Sequence, residues 1–183
     1  YRNLISTLSS WHFVGHNTHQ KRLNNLGIEN KRIFNVGETS IENFKKKNKN
    51  YEKNYVLATL YPSLFENINY KKQIEIFLNF LSSIKEEIVI TGIGSEIGSD
   101  FFLNKIKKFS QKNKINFVQN AGSNYYNILM SNAKMMVGNS SSGILESSTY
   151  QLPVINIGNR QKGRLKARNV LSCDFSLKDI KKN

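Results

Sequence analysis

The sequence predicts an α/β fold built on a largely parallel sheet, and three observations carry that expectation. Short apolar runs alternate with longer amphipathic segments, the pattern of strands joined by helical crossovers. Two of the longer segments place their apolar residues at helical spacing. The 183 residues are enough for one domain with a sizeable core, or for one domain and part of another.

Taken in order, the expected strands are Trp11 to Gly15, Arg32 to Val36, Tyr55 to Leu60, Glu87 to Thr91, Ile115 to Gln119, Lys134 to Gly138 and Val154 to Ile157. Helices are expected between them. Tyr70 to Ile84 carries Ile74, Phe77, Leu78 and Leu81 on one face, and Asp100 to Lys112 carries Phe102, Leu103, Ile106 and Phe109. These stripes read as core faces. The polar stretch Glu42 to Asn54, rich in Lys and Asn, reads as a linker, which assigns residues 1–40 to the tail of one domain and 41–183 to a second. No internal repeat is visible.

Composition narrows the function classes. The chain has 27 Lys and Arg against 13 Asp and Glu, a formal charge of +14, which favours anionic partners. The lysines are spread over many segments, Lys45 to Lys47 is the one triple run, and no basic stripe alternates with aromatics, so nucleic acid is not the expected partner. A single cysteine, Cys173, allows no internal disulfide and suggests a reducing, cytoplasmic setting. His12, His16 and His19 are spaced for one helix face, but His12 belongs to the apolar run Trp11 to Val14, and no metal site is expected. No apolar run reaches the ~20 residues of a membrane span and no signal peptide is visible.

The stretch from Val137 to Arg164 holds the chemistry. Ala133, Met135, Met136 and Val137 form an apolar strand that Gly138 and Asn139 break; Ser140, Ser141, Ser142 and Gly143 then open a helix carrying Ile144, Leu145 and Glu146. Free backbone N–H groups, a positive dipole end and serine hydroxyls at such a start converge on a phosphate, and Gly143 lets the backbone come close. Glu146, one turn in, is placed to accept two ribose hydroxyls; a capping carboxylate is the alternative. The strand Pro153 to Ile157 delivers Gly158 to Arg164, with Arg160, Lys162 and Arg164, to the same sheet edge, where open parallel sheets bind ligands.

NSSSGILE, PVINIGNRQKGR and NVLSC together resemble the nucleotide-binding signature of the UDP-N-acetylglucosamine 2-epimerases, specifically the hydrolysing branch that forms N-acetylmannosamine. YRNLISTLSSWHFVGHNTHQKRLNNLGI and RIFNVGETSIENF are similar to the middle of that family, so the resemblance covers nearly the whole chain in order. It implies a doubly wound, Rossmann-like domain, the second of two in the architecture called GT-B, with the active site in the cleft between them. It also implies a UDP-sugar ligand, GDP being the open alternative, a dimer for the whole enzyme, no cofactor, and a role in making sialic-acid-type sugars.

Residue by residue, the resemblance makes Ser140, Ser141, Ser142 and Gly143 the diphosphate turn, Glu146 the ribose carboxylate and Arg160 and Arg164 the basic loop. Asn120, with Ala121 and Gly122, resembles the loop facing the base, near Tyr125 or Tyr126. Two departures stand out. Tyr61 occupies the place where the family has a histidine that reaches the diphosphate, and a phenol donates one hydrogen bond but carries no positive charge near neutral pH. Thr91 to Ser95 lacks the family's asparagine and aspartate pair. The reaction implied is proton abstraction at C2 with loss of UDP, then addition of water, and the family's acid/base carboxylates belong to the first domain; this chain alone is expected to bind nucleotide without turnover. A non-catalytic sugar-nucleotide binder and a glycosyltransferase of the same architecture are the competing readings.

Overall fold

A computed structural model of the chain describes residues 1–41, 55–64 and 66–182. Two compact units emerge, Tyr1–Phe44 and Lys45–Asn183. The stretch Glu42 to Asn54, expected as a linker, lies outside the described residues.

The first unit contains α1 (Arg2–Leu8), β1 (His12–Val14), α2 (Asn17–Asn25) and β2 (Ile33–Asn35). The two strands pair in parallel with His12 opposite Ile33. His16 starts α2 by accepting the Thr18 N–H on its ring Nδ1 at 3.2 Å, which satisfies one of the orphan amides of the first turn. Val14, Ile28 and Ile33 form a small core over which Leu23 and Leu26 pack. The strands are shorter than the apolar runs suggest because alternate residues point outward: Trp11, Phe13 and Phe34 are exposed, their rings in contact at 5.7 and 5.5 Å.

The second unit runs β3 (Tyr55–Thr59), α3 (Tyr70–Leu81), β4 (Glu87–Thr91), α4 (Ser99–Asn113), β5 (Asn116–Val118), α5 (Gly122–Asn132), β6 (Ala133–Gly138), α6 (Ser142–Leu145), β7 (Val154–Ile157), β8 (Val170–Cys173) and α7 (Leu177–Lys182). Its sheet has the order β5-β4-β3-β6-β7-β8, with every neighbouring pair parallel. Counted from the unit's own first strand this is 3-2-1-4-5-6, the doubly wound arrangement. Ile74, Phe77 and Leu81 of α3 and Phe102 and Ile106 of α4 are fully buried against Ala58, Leu60 and Ile90, so the predicted apolar stripes are core faces. Asn69 caps α3, its Oδ1 accepting the Lys71 N–H at 2.8 Å.

Strands β4 and β7 have the bounds that the sequence predicts. β8 was not anticipated: it is an outer strand on which only Val170 is buried and Leu171 is half exposed, so it leaves no apolar run. α5 was not singled out either, since only Leu129 and Met130 on it are buried.

Gly138 fixes how closely the two central strands meet. It lies opposite Thr59 in the β3–β6 register with φ +140°, and a Cβ there would sit 1.8 Å from the Thr59 carbonyl oxygen. Backbone meets backbone, so no rotamer change relieves the clash. Gly138→Ala is therefore expected to cost roughly 4 kcal/mol or more, in the upper range for single substitutions, measured by urea unfolding; a loss under about 1 kcal/mol would show that β6 can shift freely away from β3.

Candidate functional site

Strands β3 and β6 are adjacent, and from them the chain winds outward in opposite directions. Ligands of doubly wound sheets bind outside the carboxyl ends of the strands at such a reversal. Three segments emerge there: Leu60 to Ser63 after β3, Asn139 to Ser142 after β6 and Gly158 to Arg164 after β7.

Asn139, fully buried, ties all three together. Its Oδ1 accepts the Tyr61 N–H at 2.7 Å and its Nδ2 donates to the Tyr61 carbonyl at 2.9 Å. Its own carbonyl accepts from Arg160 Nη1 at 3.1 Å and from Gln161 Nε2 at 2.8 Å. A second tie runs beside it, where the Glu66 carboxylate accepts the Asn159 N–H at 2.5 Å and Asn159 Nδ2 at 3.1 Å. A buried amide paired through both its oxygen and its nitrogen, as at Asn139, holds the joined backbones, because opening the pairs leaves donors and acceptors unmet.

The serines divide into two kinds. Ser140 and Ser142 are buried and bonded to each other at 2.8 Å, and Ser142 also meets the Tyr126 hydroxyl at 2.7 Å. Ser141 is partly exposed and lines a cleft of about 390 Å³ together with Ser63, Glu96, Arg160, Gln161 and Arg164. That volume suits a small ligand. The helix after the serines is a single turn, Ser142–Leu145; the Ser141 side chain does not cap it, and Ser140 Oγ accepts the Ser142 N–H at 3.4 Å. Glu146, expected one turn inside a helix, instead ends that turn and precedes a 3-10 segment over Ser147–Tyr150. The Gly143 carbonyl, which a continued α-helix would pair with the Ser147 N–H, accepts the Ser147 hydroxyl at 2.7 Å instead; a Cβ at Gly143 would come 3.1 Å from Val154 and 3.4 Å from the Met136 sulfur, so the turn is pressed onto the sheet. The closeness that glycine allows is thus toward β6 and β7. Glu146 is half-buried and its charge, after burial, helps push the Tyr150 phenol up to about 12.

Arg160 is held on three sides. Besides the Asn139 carbonyl, its Nη2 meets Glu96 Oε1 at 2.7 Å, and its guanidinium carbon lies 4.3 Å from the centre of the Tyr61 ring. Arg164 is exposed at the cleft's rim. Burial pushes the Tyr61 phenol above its usual value, against the pull of the Arg160 cation, and burial likewise raises Tyr126. Asn120 is exposed and its Oδ1 accepts the Gly122 N–H at 3.1 Å, opening α5. It follows β5, separated from β3 by β4. Tyr125 is also exposed, whereas Tyr126 joins the serines.

Asn139, Glu66, Glu96 and Gln161 were not among the residues singled out from the sequence. Their partners lie up to 93 positions away, and no periodicity reports such pairings. Asn139 and Gln161 alone carried a signal, standing at the head of the serine motif and inside the basic loop. Burial, then Asp179 and Asp174, push the Cys173 thiol up to about 11, which disfavours the thiolate. Among the described residues no group of His, Cys, Asp and Glu could hold a metal, and no helix is long and apolar enough to cross a membrane. A larger hollow of about 660 Å³ lies at the opposite, amino ends of the strands near Val56, Met135 and Ile155, with Ser83, Lys85, Glu86 and Lys181 also in its lining.

The profile of the family described as UDP-N-acetylglucosamine 2-epimerase matches residues 1–183. The GDP/UDP-N,N'-diacetylbacillosamine 2-epimerase (hydrolyzing) of Campylobacter jejuni is 37% identical over 96% of this chain and 50% of its own length. The UDP-N-acetylglucosamine 2-epimerase of Neisseria meningitidis is 26% identical over 98% of this chain and 50% of its own. Among solved structures, the Methanocaldococcus jannaschii UDP-GlcNAc 2-epimerase in complex with UDP-GlcNAc and UDP shares the fold, with TM-score 0.70, 18% identity and coverage of 93% of this chain and 52% of that one. The chain spans about half the length of the curated relatives it matches. With a family profile matched from its first residue to its last, on a doubly wound sheet whose switch point carries the serine turn and the arginine loop, the chain belongs to the UDP-N-acetylglucosamine 2-epimerase family.

Proposed function

We propose that this chain supplies the nucleotide-binding half of a hydrolysing sugar-nucleotide 2-epimerase, acting on UDP-N-acetylglucosamine to release UDP and N-acetylmannosamine for sialic-acid-type sugars. In this reading residues 1–40 are the tail of the first domain and 41–183 the second. The observation that carries it is the convergence of Ser141, Arg160 and Arg164 on one cleft at the switch point. Loss of UDP builds negative charge on the diphosphate, and fixed cations and N–H donors there stabilise it. Ser141 and Arg160 take the diphosphate, Arg164 adds charge from the rim, and Glu146 takes the ribose. A second reading, a nucleotide-linked N,N'-diacetylbacillosamine as substrate with UDP or GDP as carrier, is favoured by the 37% identity to the Campylobacter jejuni enzyme of that name. Turnover of the two sugars by the full-length protein, followed by release of free nucleotide, separates the readings.

Two outcomes test the nucleotide site itself. UDP at a hundredfold excess over its dissociation constant is expected to stabilise the protein by about 2.7 kcal/mol; no shift in Tm with millimolar UDP or GDP removes the nucleotide reading. Arg160→Ala is expected to weaken UDP at least tenfold, since a charge-assisted hydrogen bond is worth roughly 1.5 to 3 kcal/mol, and to leave uridine nearly unaffected. Equal losses for uridine and UDP in calorimetric titrations place Arg160 away from the diphosphate.

A further inference from the structure

Tyr61 stands where the resemblance leads one to expect a histidine cation, and its surroundings show what it does instead. Its main chain is clamped on both sides by Asn139, which sets the ring in place independently of the hydroxyl. The Arg160 guanidinium carbon lies 4.3 Å from the ring centre, close enough for strong attraction to the ring face. Glu96 and the Asn139 carbonyl take one terminal nitrogen each, so that ring, carboxylate and carbonyl fix the guanidinium in one orientation. Arg160 lines the cleft, and Tyr61 is not among the described residues that do.

We infer that Tyr61 is a positioning residue acting through Arg160: its ring face, not its hydroxyl, holds the guanidinium toward the diphosphate of the bound nucleotide. Glu96, the residue just after the segment where the family's asparagine and aspartate are missing, completes the hold from the opposite edge. The inference rests on the nucleotide reading above for the identity of the anion, and on the contacts with the Tyr61 ring, Glu96 and the Asn139 carbonyl for the orientation of Arg160.

One consequence concerns pH. The groups facing the Tyr61 phenol are Arg160, Glu96 and Tyr126. Burial keeps the phenol protonated beyond its usual value of 10, and arginine stays charged throughout. UDP affinity is therefore expected to be flat between pH 7 and 9, above the phosphate's own second ionisation near pH 6.

The test compares Tyr61→Leu with Tyr61→Phe, in two readouts. In NMR spectra of arginine-labelled protein, the Arg160 Nε–H resonance, assigned with Arg160→Lys, is expected to show an upfield ring-current shift that Tyr61→Phe preserves and Tyr61→Leu abolishes. In calorimetric titrations Tyr61→Leu is expected to weaken UDP by roughly three- to thirtyfold, the span of a ring–cation contact, with uridine little changed, and Tyr61→Phe to restore the affinity. Loss of UDP affinity in Tyr61→Phe equal to that in Tyr61→Leu would assign the work to the hydroxyl and overturn the inference. So would an Arg160 resonance that ignores both substitutions. A wild-type protein that binds no UDP, yet shows the ring-shifted resonance in wild type and Tyr61→Phe only, overturns the nucleotide reading while upholding the ring contact. Circular dichroism checks that Tyr61→Leu is folded; if it is not, Tyr61→Phe alone decides through the same two readouts.

Discussion

Asn139 uses every polar atom it has. Its amide faces both backbone groups of Tyr61, its carbonyl is shared by Arg160 and Gln161, and its N–H reaches the Thr59 carbonyl at 3.1 Å. A buried amide left without partners costs about 1–3 kcal/mol for each group, so the lowest state is the one in which all these contacts form at once. The segments after β3, β6 and β7 are thereby held in one arrangement, and the cleft between them exists because that arrangement does. The Glu66–Asn159 tie repeats the device next door with a carboxylate in place of an amide.

The topology is what makes such a hub available. Parallel strands need helical crossovers, and winding them outward from β3 in both directions leaves the carboxyl ends of β3 and β6 side by side. Gly138 then lets the two strands close to a distance at which a short side chain can bridge them. Asparagine is suited to that span, since its donor and acceptor sit on one short planar group.

Much of this was legible in the sequence, and the exceptions share a cause. Apolar runs found β4 and β7 at their true bounds because both strands are buried along nearly their whole length. β8 escaped because an edge strand buries little, and α5 because just two of its residues reach the core. The serine turn and the arginine loop were visible as composition, and their arrival at one sheet end followed from the strand order. The close seat of the single-turn α6 was not visible, since Gly143 meets Met136 and Val154 there, contacts between segments that no local pattern records. For the same reason Tyr61 read as a lost cation, while the ring face it presents to Arg160, 99 positions along the chain, became evident only in three dimensions.

The serine pair and Tyr126 have a consequence of a different sort. Tyr126, Ser142 and Ser140 are hydroxyls bonded in a row at 2.7 and 2.8 Å, and each owns one proton. Tyr126 also reaches Thr59 and Ser140, and Ser140 Oγ accepts the Ser142 N–H at 3.4 Å, so the row is part of a branched net. Each hydroxyl can turn its single proton toward more than one of these neighbours, so donors and acceptors can be exchanged within the turn while its heavy atoms stay in place.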